Sequence, residues 1–403
     1  PVLVGRVLAF IGLGLWAWPL AAMVLGRALR SAETEMADAL RLDGVGWLSR
    51  QWAYVRRTRG AVVRAAGLVA LVMLGSSVPL HLANAPTIAI AAWQEVVLHP
   101  GTPGVWLLTW PLLVMAAAGA WVMSGAVLRA ETGVDAREGA RPARAALRTT
   151  VGLVAASTVL PLMLYVLFLR RWASIPAFVR VSGEAAAWST GVAVLVGAGA
   201  GLVCGAFWWA CATRGVGSSV QRAVRVALCG LVFAALAPGI LVGHAWAAFW
   251  MVVGAPGAWM DTAAPTVLAH LTRFAGIAAL AGCVLAGLEP AGTRDARAID
   301  AGASLKAWVR TGLSWSTLAG VAVCVACLSL HEIESSIVVQ PPGMLSLPQT
   351  MLGNLHFARQ EETSAGAIVV IGAGMVVAAG VAAFQANRGG AESERSDAER
   401  RRG

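Results

Sequence analysis

Few side chains in this sequence could do chemistry, and most of them stand inside or beside long apolar runs. His270 and Arg273 are three residues apart, a spacing that places both on one face of a helix. Glu332 and Glu334 follow another apolar run. Ionisable groups in such places are costly unless they meet a partner or line a wet cavity. All four side chains are therefore candidates for a polar pathway through the protein.

Each of these candidates also has a plainer interpretation. Arg273 stands about eight residues into its apolar run, roughly 12 Å from the end of the helix at about 1.5 Å per residue. It could line a pathway with His270 or meet an anionic group, or it could extend its guanidinium outward to water. Glu332 and Glu334 could form a gate, or they could be the solvated residues after a helix.

Other chemical patterns are weak. The sequence has no Gly-x-x-x-x-Gly-Lys-Ser/Thr phosphate loop, and its single lysine, Lys306, follows Ala303-Ser304-Leu305. The six cysteines fall in apolar runs, and Cys324 and Cys327 have no second Cys or His pair nearby. We assign no catalytic residue, no metal site, no disulfide and no cofactor. The histidines at 81, 99 and 356 share no spacing and receive no role.

The composition indicates where these residues are placed. The chain of 403 residues is 58% apolar and only 13% charged, about half the charged fraction of a soluble globule. Many apolar runs approach the roughly 20 residues that cross a bilayer. The net charge of +10 comes from basic residues in short loops, where they set topology, so nucleic acid is not an expected partner.

The sequence predicts an all-α bundle of about nine transmembrane helices. We place them at residues 3–26, 61–83, 104–128, 149–170, 189–213, 224–249, 265–288, 313–331 and 364–386. Most of the 31 Lys and Arg residues lie in alternate connections, which are therefore cytoplasmic: 27–64, 129–148, 214–225, 289–310 and 388–402. The first residues already belong to a span, so we expect a truncated beginning and not a signal peptide.

Two short polar runs share a setting and predict an internal repeat. Asp38-Ala39-Leu40-Arg41-Leu42-Asp43-Gly44 and Ala296-Arg297-Ala298-Ile299-Asp300-Ala301-Gly302 both precede an apolar span that ends near paired serines. We therefore divide the chain into a partial first half, 1–128, a linker, 129–148, a six-helix second half, 149–386, and a disordered cytoplasmic tail, 387–403. Parallel repeats of this kind place a pathway along the axis between them.

These runs resemble the cytoplasmic coupling loop of the membrane subunits of binding-protein-dependent ATP-binding-cassette importers. That loop reads Glu-Ala-Ala, three residues and Gly; here Asp replaces Glu, and the usual trailing Leu-Pro is absent from both copies. Three further stretches resemble the same family, in the order that the family has them: Leu236-Ala237-Pro238-Gly239, Arg273-Phe274, and Val339-Gln340-Pro341-Pro342-Gly343 with Leu347-Pro348. The last is similar to the fused, double-length subunits for ferric iron and thiamine.

The resemblance implies a type I importer permease in a bacterial inner membrane. It implies two ATPase subunits docked on loops 31–60 and 289–312, an extracytoplasmic binding protein that delivers the solute, and no chemistry by the chain itself. Gly permits the tight bend of such a loop, and the flanking carboxylates can pair with Arg on the partner. The expected coupling residues are Asp38, Ala39, Leu40, Asp43, Gly44, Ala298, Asp300, Gly302 and Ala303.

Several alternatives remain open at this point. The two polar runs could be ordinary solvated loops. A membrane-embedded transferase with a lipid-linked donor would need acidic residues clustered in an outward loop, but loop 84–103 offers only Glu95 and loop 250–264 only Asp261. An ion-coupled carrier would need carboxylates at mid-membrane, and the centres of the predicted spans hold none. Ferric iron is the first expected solute and thiamine the second, with a polyamine or another small solute also open.

Overall fold

The computed structural model describes residues 4–19, 21–22, 25, 43, 46–74, 78–83, 85–99, 103–129, 144–213, 218–254, 256–289 and 315–400. Within these ranges the protein is helical, with no strand. Six helices are long and apolar enough to cross a membrane, and four shorter apolar helices accompany them. The expected all-α membrane fold is therefore confirmed, whereas the count of nine spans stays a prediction.

The helices are numbered here in chain order. They are α1 Val4–Pro19, α2 Trp47–Arg57, α3 Arg59–Leu74, α4 Val78–Leu82, α5 Ile88–Leu98, α6 Gly104–Arg129, α7 Arg144–Val154, α8 Leu160–Phe168, α9 Ser174–Ala212, α10 Ser218–Leu236, α11 Gly239–Val252, α12 Gly257–Met260, α13 Ala264–Leu288, α14 Trp315–Leu330, α15 Leu347–His356 and α16 Gln360–Arg400. A π-helical turn, Ala155–Val159, joins α7 to α8 and makes one continuous apolar rod of the two.

Five of the described helices form the packed centre. The helix α9 packs on α13 and α14, and α10 packs on α13 and α6. Small residues allow the close approach: an added Cβ on Gly197 of α9 would lie 2.6 Å from the carbonyl oxygen of Ala322 on α14. The contact at Gly276 of α13 is similarly close, because an added Cβ there would lie 2.5 Å from the carbonyl oxygen of Leu231 on α10. Close packing of small residues is the usual way helices associate in a membrane, where water does not drive them together.

Several predicted helix limits are wrong. The helix predicted for 189–213 begins at Ser174, because Phe178 and Ser182 form a buried helical face that the polar residues Arg180 and Glu184 conceal in the sequence. The predicted outward loop 171–188 is therefore mostly helical. The predicted loop 84–103 contains α5, which Thr87 caps by accepting a hydrogen bond from the Ile90 N–H at 3.3 Å.

The predicted span 61–83 is described as helix in α3 up to Leu74 and again in α4, Val78–Leu82. A further correction concerns the predicted span 364–386. It lies within α16, which runs on to Arg400, so the tail expected to be disordered is helical up to that residue. Its Ala, Glu and Arg residues are good helix formers, and this local preference outweighs the lack of apolar side chains.

Candidate functional site

The predicted span 224–249 is broken in its second half, and the break organises the candidate site. The helix α10 ends at Leu236 and α11 begins at Gly239, with Pro238 between them in an extended conformation (ψ 134°). Proline lacks the N–H that a continuous helix needs and disfavours the helical conformation of the residue before it. The break therefore leaves the last carbonyls of α10 and the first N–H groups of α11 inside the bundle.

Arg273 of α13 fills the carbonyl side of this break. Its Nη1 donates to the carbonyl oxygen of Ala235 at 3.0 Å and also to that of Ala237. The side chain is only 9% exposed, so the outward, water-seeking interpretation of Arg273 is wrong. A guanidinium is well suited to the negative end of a helix dipole, where it satisfies carbonyls that have no partner within the helix.

Glu332 and Glu334 lie at the other side of the break, against the start of α11. An added Cβ on Gly239 would lie 2.8 Å from Glu334 Cβ and 2.9 Å from Glu332 Oε1. Glu334 is buried, and Glu332 is partly buried with its Oε1 accepting from the Ser335 N–H at 2.9 Å. Carboxylates are favoured at a helix N-terminus. The two residues are thus part of the interior and not the solvated end of α14.

His270 links α13 to α14 one turn before Arg273. Its Nδ1 lies 2.8 Å from Ser329 Oγ, and the imidazole is 4% exposed. Within the described part of the chain, its Nε2 has no hydrogen-bond partner, and neither has Thr266 Oγ1, one helical turn away. Buried polar atoms without a protein partner are uncommon, and bound water or a ligand usually satisfies them.

His270 and Glu332 border a partly open cavity between α9, α13, α14 and the segment that leads to α15. It encloses about 260 Å³ of empty space, including its mouth. Hydroxyl and amide groups dominate its polar lining: Ser189, Thr266, Ser329, Ser336, Gln340 and Ser346. The site combines this cavity with the helix break and the charged residues around it; we call the whole the break site.

The structure thus brings all four pathway candidates into one region, although in two roles. His270 borders the cavity, Arg273 and Glu334 pack against the break beside it, and Glu332 does both. Sequence reasoning missed Thr266, Ser329 and Gln340. The spacing Thr266-x-x-x-His270-x-x-Arg273 was a usable signal, because these positions share one helical face.

Of the nine expected coupling residues, the structure describes only Asp43, which is exposed in a turn. Asp38, Ala39, Leu40, Gly44, Ala298, Asp300, Gly302 and Ala303 lie outside the described residues. Their role stays a prediction.

Among the described residues, one pair of thiols and one pair of imidazoles lie close together. All six cysteines are free, and Cys211 Sγ of α9 lies 3.3 Å from Cys283 Sγ of α13. The rings of His81 and His356 are 5.6 Å apart between centroids. Over the described ranges, no three His, Cys, Asp or Glu side chains are grouped so as to hold a metal ion.

The chain matches no protein-family model, no curated protein and no solved structure. What its composition and helices define is a class: an all-helical, multi-pass membrane protein with a polar site beside a helix break.

Proposed function

We propose that the chain is the permease subunit of an ATP-binding-cassette importer in a bacterial inner membrane. The observation that carries the proposal is the break site. Polar backbone and ionisable side chains are expensive inside a bilayer, and they are retained where they line a route for a solute. Broken helices with exposed ends recur at the solute sites of transporters.

The chain's part in such an importer is conformational. A solute delivered from outside enters between the two halves, 1–128 and 149–386, and a separate pair of ATPase subunits drives them past one another. The ATPases grip the cytoplasmic loops 31–60 and 289–312, where Gly44 and Gly302 form the bends. Ferric iron is the first candidate solute and thiamine the second, on the resemblance of the 339–348 stretch to double-length permeases.

A second candidate is an ion-coupled carrier, and one observation favours it. Glu334 is a buried carboxylate beside the break, and carriers that move protons place such groups within the bundle. In that case no ATPase would be needed, and uptake would follow the proton gradient.

Reconstitution of the full chain distinguishes the two. The chain is placed in liposomes with an importer ATPase and a binding protein from the same genome, and uptake of ferric iron and of thiamine is measured with and without ATP. The importer predicts uptake that requires ATP and survives a protonophore. Uptake that a protonophore abolishes and ATP does not affect would identify a carrier.

The coupling loops provide the matched variants. Replacing Gly44 and Gly302 together by Pro removes the bend, and we expect loss of both ATPase co-purification and uptake. Replacing Gly12 and Gly14 by Ala is the control, because an added Cβ on either meets no atom within 4 Å. Normal co-purification of the ATPase with the proline variant would contradict the assigned loops.

A further inference from the structure

The polar cavity of the break site has the chemistry of a binding site for a small organic cation. We propose that it takes a solute through a positively charged, hydrogen-bond-donating group such as an ammonium, with Glu332 as the counter-charge. This assignment rests on the proposed transport function and narrows its solute class to organic ammonium compounds such as polyamines, in place of ferric iron. Three observations carry it: the charge of the lining, the polar atoms without partners, and the size of the space.

The charge of the lining is negative. Glu332 is the one carboxylate among the described residues that border the cavity, and none of them is Lys or Arg. The nearby cation, Arg273, is directed to the carbonyl oxygens of Ala235 and Ala237. Its guanidinium is thus committed to the helix end. A carboxylate in a sheltered space attracts a cation and repels an anion.

Among the described residues, the buried atoms of the cavity lining without hydrogen-bond partners can each accept a hydrogen bond, His270 Nε2 in the tautomer whose Nδ1–H donates to Ser329 Oγ. Within the described chain, Gln340 Oε1 and Thr266 Oγ1 are buried without a hydrogen bond, and so is His270 Nε2. Glu332 Oε1 accepts from the Ser335 N–H, and its Oε2 has no hydrogen-bond partner among the described residues and can accept from a ligand. An ammonium offers several N–H donors and no acceptor, so it complements this set.

The space is small. The 260 Å³ includes open space at the mouth, and the enclosed part has room for a group about the size of one water molecule. The cavity in this conformation therefore suits one charged head group, with the rest of the solute toward the mouth. Glu332 is fixed by the turn that packs on Gly239 and Gly243, where an added Cβ would lie within 3 Å of Glu332 Oε1 or the Ser335 carbonyl oxygen.

The test measures binding to the full chain in nanodiscs of phosphatidylglycerol, which offer no lipid ammonium. The probes are radiolabelled putrescine and spermidine, whose ammonium groups donate hydrogen bonds, and succinate as an anion of similar length to putrescine, and the bound ligand is measured by equilibrium dialysis. We expect saturable binding of at least one cation and none of succinate. Binding of succinate alone, or of none of the three, would overturn the proposal.

Glu332→Gln keeps the shape of the side chain and removes its charge. We expect it to weaken cation binding at least tenfold, whereas Glu362→Gln, an exposed carboxylate on α16, should change it less than twofold. Equal affinity in wild type and Glu332→Gln would refute the role of Glu332. Circular dichroism and thermal unfolding of each variant check that it is folded, and Glu332→Asp should restore part of the affinity if charge is what matters.

A head group of a lipid is the other source of an ammonium. In nanodiscs that contain phosphatidylethanolamine, competition between the lipid and putrescine would show that the same site accepts the lipid. Stabilisation of the protein by that lipid, without any binding of soluble cations, would overturn the solute assignment. The outcome is separable from the importer proposal. Cation binding that depends on Glu332, in a chain that associates with no ATPase, would support the cation site and reject the importer. ATP-driven uptake that Glu332→Gln does not affect would support the importer and reject the cation site.

Discussion

Two regions of the bundle that both include α13 are packed in opposite ways. Where α13 meets α9 and α10, glycines and small apolar side chains bring backbones together, with Ala278 and Ala279 fully buried. One face away, the same helix presents Thr266, His270 and Arg273 to the break site. The first region is what stability alone would select. The second region retains a cavity and buried polar atoms without protein partners. Both lower stability, as is expected of a site kept for function.

The largest effect on stability is expected for Arg273→Met, because this substitution removes the cation that stabilises the helix break. The carbonyl oxygens of Ala235 and Ala237 would lose a charged donor inside the bundle, and hydrogen bonds to charged groups contribute about 1.5–3 kcal/mol each. We expect a clear fall in the thermal unfolding temperature in detergent. Arg359→Met is the control, since Arg359 is exposed, and an equal fall in both variants would contradict the assigned role.

The packed region is tested by Gly197→Ala. The new Cβ would lie 2.6 Å from the carbonyl oxygen of Ala322 and 3.0 Å from Ala326 Cβ, so α9 and α14 must move apart. Overpacking of this kind costs about 1–3 kcal/mol. Gly191→Ala, on the same helix with no atom within 4 Å of the new Cβ, should instead be neutral or stabilising by about 0.5–1 kcal/mol. Comparable unfolding temperatures for the two variants would show that the interface is looser than described.

The smallest effect on stability is expected for Thr266→Val, and it should stabilise the protein where Arg273→Met and Gly197→Ala destabilise it. This change removes a buried hydroxyl that has no hydrogen-bond partner and keeps the shape of the side chain. Burial of an unsatisfied hydroxyl is unfavourable, so stability should stay equal or rise by about 1 kcal/mol, whereas solute binding should weaken. A loss of stability would mean that the hydroxyl has a structural role and would weaken the contrast between the two regions.

The sequence predicted the elements that hydropathy dominates. The predicted spans 104–128 and 265–288 agree with Gly104–Arg129 and Ala264–Leu288 almost to the residue. The prediction failed where the local pattern was ambiguous. The break in 224–249 was missed because the apolar run continues through Pro238 and because a single proline does not always end a helix. Pro111 lies inside the unbroken α6.

The candidate site was predicted in part, and for a physical reason. His270, Arg273, Glu332 and Glu334 are conspicuous because charge and imidazole are rare in apolar runs. The hydroxyl residues around them are ordinary in any helix, and only the fold shows that Ser329 meets His270 and that Gln340 borders the same cavity. Contacts between distant segments are not encoded in local spacing.

The most direct test of the break site as part of a transport pathway is its accessibility to water. In a background in which the six native cysteines are replaced by alanine, Ser336→Cys reports on the cavity and Ala279→Cys on the packed region. A membrane-impermeant methanethiosulfonate reagent is applied to the protein in proteoliposomes. The pathway predicts that Cys at 336 is modified and that Cys at 279 is not. Protection of both positions from the reagent on either side of the membrane would contradict the account.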